Sequence, residues 1–244
     1  MSKIAIIIPS RLEAVRLPNK PLELINNKEM ILHVYDAAKK TDSEVYVATP
    51  DQKIIDVINQ NKGKAVLTST DHQTGTDRVY EVFKDHLKSE PNLIINLQGD
   101  MPNIEPQAIS NLINYMKEGN CDIGTLASSF SSDDELADEN NVKVAAKEKL
   151  TNGKFSEALD FFRKDSNEYE NYYHHVGIYA FTNKALVRYV SLKRSKLELK
   201  RKLEQLRALE NSMSIHVGYI NSSPLSVDTK NDLMEVRKIM GKIS

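Results

Sequence analysis

Short apolar runs alternate along the chain with longer stretches in which apolar residues recur at helical spacing, the pattern of βα units rather than of an all-β or all-α chain. Residues 3–8 read as a first buried strand, and 30–40 as a helix with Ile31, Val34, Tyr35 and Ala38 on one side. Strands over 44–48, 65–67 and 92–97 follow, interleaved with helices over 51–60, 76–87 and 106–117. The last helix opens on a proline, at a position where a missing N–H costs little. Further on the regularity weakens. Strands are predicted over 123–127, 142–146, 173–181 and 214–219, and helices over 197–209 and 231–240. The polar, irregular stretch 155–172 is predicted to be a mobile loop. With no internal repeat and no low-complexity linker, the pattern predicts one elaborated α/β domain over residues 1–244 with a mostly parallel sheet.

Composition narrows the function classes. The 33 Lys+Arg against 34 Asp+Glu leave a formal net charge of -1, so the basic excess of a protein built to neutralise many nucleic-acid phosphates is missing, and no nucleic-acid partner is expected. A local cluster of six cations against one acid at 193–202 is read as a solvated helix face. The lone Cys121 excludes an internal disulfide framework and a multi-cysteine zinc site, and it suits a reducing, cytoplasmic setting. The apolar run at 4–8 is too short for a signal-peptide core or a spanning helix, so no membrane insertion is expected.

Polar loops follow the first, third and fourth strands, where open α/β sheets place their ligands. The first loop carries Pro9-Ser10-Arg11 and Arg16-Leu17-Pro18-Asn19-Lys20-Pro21. Its cations Arg11, Arg16 and Lys20 can wrap a polyphosphate, although from charge alone such a loop is more often a solvated basic one. The glycines and Gly-Lys-Ser/Thr ending of a P-loop are absent. Gln98-Gly99-Asp100 sets a carboxylate after a central strand, a way to hold Mg2+ once phosphates and a second acid are near. Asp228 can be that acid, although either aspartate alone is more often a turn former or a helix cap. Gly75, among small hydroxyl residues, lets backbone approach a flat ligand; the plainer reading is a loop in which Thr76 caps the next helix. In the Tyr-rich strand, alternation places His175, Gly177 and Tyr179 on one face. Alone, His175 is an ordinary sheet histidine, and Glu204 and Gln205 are ordinary residues of an amphipathic helix.

Taken in order, Pro9-Ser10-Arg11, Arg16 to Leu22, His72-Gln73-Thr74-Gly75-Thr76-Asp77-Arg78, Asn96-Leu97-Gln98-Gly99-Asp100, His175-Val176-Gly177-Ile178-Tyr179, Leu203-Glu204-Gln205-Leu206-Arg207 and Val227-Asp228-Thr229 match the 3-deoxy-manno-octulosonate (Kdo) cytidylyltransferases. The chain resembles that family over almost its whole length. The resemblance implies a nucleotide-diphospho-sugar transferase (Rossmann-like) three-layer α/β fold, a homodimer, and a sugar-binding and dimerisation subregion at 150–212. It implies Mg2+-dependent transfer of CMP from CTP to the anomeric hydroxyl of Kdo, giving CMP-Kdo and pyrophosphate for lipopolysaccharide assembly. By the same resemblance, Arg11 and Lys20, helped by Arg16, hold the triphosphate, and Thr74, Gly75 and Gln98 lie at the cytidine. Asp100 and Asp228 bind Mg2+ and complete a catalytic set with Lys20 and Arg11. Arg163, His175, Tyr179, Glu204 and Gln205 face the sugar acid.

The chain departs from the family pattern at Met101, where Glu is common, in the residues flanking Arg163, and at Arg201, where an acid is usual. Runner-up readings are the same chemistry on 8-amino-Kdo or another acidic sugar, and a nucleotide-binding homologue that has lost turnover. The retained Asp100, Asp228, Arg11 and Lys20 argue against the second. A glycosyltransferase would offer an Asp-X-Asp motif after the central strand, and none stands there.

Overall fold

The computed structural model describes residues 3–13, 16–87, 90–164 and 169–241, within two compact units: Met1–Ser110 with Pro224–Ser244, and Asn111–Ser223. In the first unit the chain runs through β1 (Ile4–Pro9), β2 (Leu24–Ile25), β3 (Lys28–Glu29), α1 (Met30–Lys39), β4 (Glu44–Thr49), α2 (Gln52–Gln60), β5 (Ala65–Leu67), α3 (Gly75–Glu81) and β6 (Leu93–Leu97). A C-terminal helix, Lys230–Met240, returns to it. β1 pairs in parallel with β4 on one side and β6 on the other, and β5 extends the ladder beyond β4. β1 and β6 are buried on both faces, so their sequences are nearly unbroken apolar runs instead of alternations. Asn96, in β6, is the polar exception and is fully buried.

Local chemistry explains where the elements of this unit begin and end. α3 opens on a capping box in which Thr74 Oγ1 accepts the Asp77 N–H at 3.2 Å and Asp77 Oδ2 accepts the Thr74 N–H at 3.1 Å. Thr74 is therefore the cap, in place of the expected Thr76. Past Glu81 the helix opens into one wider turn, Val82–His86, so the single helix expected over 76–87 is interrupted. β2 and β3 form a hairpin around Asn26 and Asn27, both at positive φ (49° and 63°), which a tight two-residue turn requires. Leu17, in the loop after β1, packs with Ile25, Met30, Val227, Leu233 and Val236. Its burial is worth about 1.5–3 kcal/mol and pins that loop against the segment leading into the C-terminal helix.

The chain enters the second unit along α4 (Pro106–Lys117). It continues through β7 (Ile123–Ser128), α5 (Asp133–Ala137), β8 (Lys143–Ala146), β9 (Phe155–Phe162), β10 (Tyr172–Thr182), α6 (Asn183–Ser191), α7 (Lys196–Arg201), α8 (Leu206–Glu210) and β11 (Ile215–Tyr219). β7 pairs antiparallel with β10 and parallel with β11; β9 joins β11 to β8, both antiparallel, and β8 returns to β10. The mostly parallel arrangement expected from the sequence holds in the first unit and gives way to mixed pairing here. α4 crosses β7 at Gly124, where a Cβ would meet Met116 Sδ at 2.7 Å and Leu112 Cδ1 at 2.8 Å.

Two expectations are corrected in this unit. Residues 155–162 form β9 rather than a mobile loop, while 165–168 lie outside the described residues. The strand escaped notice because its polarity is inverted: Ser156 and Asp160 are buried and Leu159 is exposed. Asp160 is satisfied by Arg201, whose Nη1 lies 2.7 Å from both carboxylate oxygens and 3.0 Å from the Phe161 carbonyl. The unusual arginine thus has a local partner. The helix expected over 197–209 is split into α7 and α8 by Lys202 in the left-handed region. That break folds Arg207 back onto Glu198, which is 1% exposed and accepts from Arg207 Nη2 at 2.6 Å and from Arg194 Nε at 2.9 Å. Among the described residues no helix is long and apolar enough to cross a membrane.

Candidate active site

Within the first unit a cleft of about 600 Å³ opens at the carboxyl ends of β1 and β6. Its size is that of a small-ligand site. The loop after β1 forms one wall. Ser10 N–H donates to the Ala48 carbonyl at 2.9 Å and Leu12 N–H to Asp51 Oδ2 at 2.8 Å, which fixes the start of the loop. Asn19 adopts φ 58°, and Lys20 then opens a short 3₁₀ turn anchored by buried Pro21. The Lys20 side chain is thereby aimed into the cleft.

Lys20 Nζ lies 3.0 Å from Asp100 Oδ2 and 3.0 Å from Asp228 Oδ1. Arg16 Nη2 meets the other Asp228 oxygen at 2.8 Å. The two aspartates come from the turn after β6 and from the segment before the C-terminal helix, and the backbone ties those segments together. Val227 N–H donates to the Asp100 carbonyl at 2.9 Å, and Leu225 N–H to Asn103 Oδ1 at 2.9 Å. Thr229, with Asp232, makes the capping box of the C-terminal helix, which leaves the Asp228 carboxylate to face the cleft. Burial works against the charge on Lys20, but the two carboxylates outweigh it and raise its pKa. Two acids converge here on one cationic centre, which is the donor arrangement a divalent ion needs when nucleotide phosphates complete its shell. Among the described residues no group of three or more His, Cys, Asp or Glu gathers at one point.

Arg11, Arg16, Lys20, Thr74, Gly75, Gln98, Asp100 and Asp228 all line this one cleft. Sequence reasoning missed Arg78, which lines it as well. Arg78 is 4% exposed and donates Nη1–H bonds to Thr68 Oγ1 and to the Ser69 carbonyl. Burial, and then the nearby charge of Arg11, lower its pKa. A buried guanidinium held beside a second cation is a place for an anion. The signal in the sequence was its place at the end of the His72 to Arg78 motif; the structure adds that α3 buries it with Thr76 and Val79. The Ser10 hydroxyl, also in the cleft wall, is buried with no hydrogen-bond partner among the described residues.

The five residues assigned to the sugar acid lie in the second unit. His175 is buried; its Nε2 is 2.9 Å from Thr125 Oγ1, and its ring lies 5.5 Å from Tyr179 and 5.1 Å from Phe161. Burial, then the neighbouring His174, push its pKa down to about 3, so the ring is neutral near physiological pH. Tyr179 is pushed well up by burial, then by the charge of Glu204. Glu204 and Gln205 occupy the turn between α7 and α8 rather than a continuous helix, and Gln205 is buried. The Glu204 carbonyl accepts from Tyr189 Oη at 2.9 Å. Arg163 donates Nη1–H bonds to the carbonyls of Glu139 and Asn140 at 3.1 and 2.8 Å.

Comparison with known proteins gives a consistent result. A family model described as Cytidylyltransferase matches residues 5–215. A 3-deoxy-manno-octulosonate cytidylyltransferase of Bartonella henselae is 40% identical over 239 residues, covering 96% of this chain and 97% of that protein. Its counterpart in Rickettsia bellii is 42% identical over 241 residues, covering 98% and 96%. The solved structure of a CMP:2-keto-3-deoxy-manno-octonic acid synthetase complexed with CTP matches at a TM-score of 0.89 and 35% identity, covering 100% of both chains.

Proposed function

The chain belongs to the cytidylyltransferase family, among the 3-deoxy-manno-octulosonate cytidylyltransferases, and from that premise we propose that it transfers CMP from CTP to the anomeric hydroxyl of Kdo, making CMP-Kdo for lipopolysaccharide assembly. The observation that carries this reading is the meeting of Lys20 with Asp100 and with Asp228, the latter 208 residues away, in a cleft that also holds Arg11, Arg16 and Arg78.

The reaction forms a bond from the anomeric oxygen to the α-phosphorus and breaks the bond from that phosphorus to the bridging oxygen. The hydroxyl proton passes to solvent water, and the electron pair of the broken bond departs on pyrophosphate. Negative charge therefore builds on the leaving group, where Lys20, Arg11 and Arg78 are the cations to receive it. Arg16 helps hold the triphosphate, and Thr74, Gly75 and Gln98 receive the cytidine. Asp100 and Asp228 would hold Mg2+, an ion commonly carried by one or two carboxylates with phosphates and water completing its shell. When bound it supplies neutralisation of charge at the phosphate.

No protein nucleophile takes part in this scheme: burial pushes the Cys121 thiol up to about 12, so it stays protonated. Arg163, His175, Tyr179, Glu204 and Gln205 are the proposed contacts of the sugar acid. A neutral His175 can hydrogen-bond sugar hydroxyls but offers no charge to the carboxylate, so that role falls to Arg163. The reading extends to the three-layer nucleotide-diphospho-sugar transferase arrangement, a single functional domain with its sugar-binding and dimerisation subregion at 150–212, a homodimer and a cytoplasmic setting.

The test is an acceptor panel. Purified protein with CTP, Mg2+ and Kdo should release pyrophosphate, and EDTA should stop it; arms with 8-amino-Kdo and a sialic acid define the far end of the acceptor. Robust release from UTP and a neutral hexose phosphate, with none from CTP and Kdo, would overturn the assignment.

A further inference from the structure

Asn96 stands two residues before Gln98 in β6 and is 0% exposed. Its Nδ2–H donates to Thr76 Oγ1 on α3 at 3.2 Å, so the atom it turns to Gln98 is its oxygen. Gln98 answers with Nε2–H at 3.0 Å. A primary amide carries its donors and its acceptor on different arms. One of the two N–H groups of Gln98 Nε2 is spent on Asn96, which fixes the orientation of the amide, and the carbonyl is the arm with its lone pairs left for a ligand.

Gln98 lines the cleft beside Gly75, whose missing side chain would lie 3.3 Å from Pro9 Cγ and 3.9 Å from Gln98 Nε2. Pro9, Gly75 and Gln98 are uncharged, whereas Arg11, Arg16, Lys20 and Arg78 supply the positive charge of the cleft. A nucleotide that sets its phosphates against the cations brings its base to the uncharged residues.

We propose that Asn96, anchored by Thr76, is a positioning residue that fixes the Gln98 amide with its carbonyl toward the ligand and so makes the site select cytosine over uracil. This rests on the reading above that Gln98 meets the base. Cytosine carries an amino donor at the ring position where uracil carries a carbonyl acceptor. Gln98 held this way pairs with the first and sets lone pair against lone pair with the second. An amide free to turn would serve either base. The buried Thr76–Asn96–Gln98 chain removes that freedom, because turning Gln98 would face its donor arm away from the Asn96 oxygen and leave that buried oxygen unpaired.

The test is steady-state kinetics of the full chain with CTP and with UTP, Kdo as acceptor, alongside calorimetric binding of each nucleotide without Kdo. The unmodified protein should favour CTP by about a hundredfold in kcat/KM. Asn96→Leu removes the acceptor that holds Gln98, and Thr76→Val removes the anchor of Asn96. Each should cut the CTP/UTP ratio by about tenfold, mainly through a lower KM for UTP. Asn96→Asp keeps an oxygen for Gln98 Nε2 and should hold the ratio within about threefold of the parent. Melting curves identify the folded variants, and Thr76→Val, a change of nearly constant volume, keeps the test open if the Asn96 variants unfold.

Unchanged CTP/UTP ratios in folded Asn96→Leu and Thr76→Val proteins would overturn the proposal. So would an unmodified protein that binds UTP as tightly as CTP. A protein that makes no CMP-sugar from Kdo, yet shows the predicted nucleotide ratios by calorimetry, would remove the activity reading and leave the relay standing.

Discussion

Asp100 and Asp228 meet at one lysine ammonium because backbone bonds hold their segments together, so deleting either carboxylate leaves the other in place. Asp100→Ala and Asp228→Ala should each lower kcat/KM for CMP transfer by about a hundredfold to a thousandfold in pyrophosphate-release assays. A near-normal rate in either variant would remove that residue from the proposed metal-holding pair. Arg78 makes a different prediction. Its buried guanidinium beside Arg11 is proposed to meet the leaving group, so Arg78→Gln should weaken inhibition by added pyrophosphate about tenfold, with Arg78→Lys in between. An unchanged inhibition constant in both variants would make it a structural arginine that only holds Thr68 and Ser69. Of these residues, the cleft cations Arg11, Arg16 and Lys20 and both acids were legible in the sequence because they sit in motifs. Arg78 closes one of those motifs as well but was given no role, since a helical arginine is ordinarily exposed and nothing in the spacing marks this one as 4% exposed.

Between elements, charge placed out of water decides what is rigid. Glu198 and Arg207, 1% and 5% exposed at the side chain, join the two short helices α7 and α8. Glu198→Ala would strand the buried guanidinium and should cost about 3–5 kcal/mol by urea denaturation; a loss within about 0.5 kcal/mol would show the pair to be a surface contact. His175 in β10 gives a pH signature. Its folded pKa of about 3 lies below the ordinary 6.5, so between those values the unfolded chain binds a proton that the folded one refuses. Its contribution is fully present above pH 6.5 and is lost as pH falls, by about 1.4 kcal/mol per pH unit. Between pH 6.5 and 5, the parent should therefore lose about 2 kcal/mol more than His175→Gln; parallel losses would contradict a neutral buried ring. In the first unit β1, β4, β5, β6, α1 and α2 were legible because each carries one periodicity, whereas the β2–β3 hairpin, two residues a strand, is too short to show one. In the second unit β9 was hidden by an acid on its buried side, and the break after α7 by a buried ion pair that hydrophobic periodicity cannot register.

At the scale of the molecule, the chain is near neutral while one cleft of the first unit gathers Arg11, Arg16, Lys20 and Arg78, so the charge available to an anionic ligand is local rather than a property of net charge. The residues resembling a sugar-acid site lie in the second unit, and composition gave no hint of the acceptor. The family match and the cleft agree on the nucleotide chemistry, and the proposed acceptor atom is the part most exposed to direct test. That test is a phosphorus-31 spectrum of the reaction with CTP, Mg2+ and Kdo labelled with carbon-13 at the anomeric carbon. The account predicts pyrophosphate and a new phosphodiester in equal amounts, the diester signal split by coupling to the labelled carbon. A diester with no such coupling, or no diester from Kdo while another acceptor gives one, would contradict it.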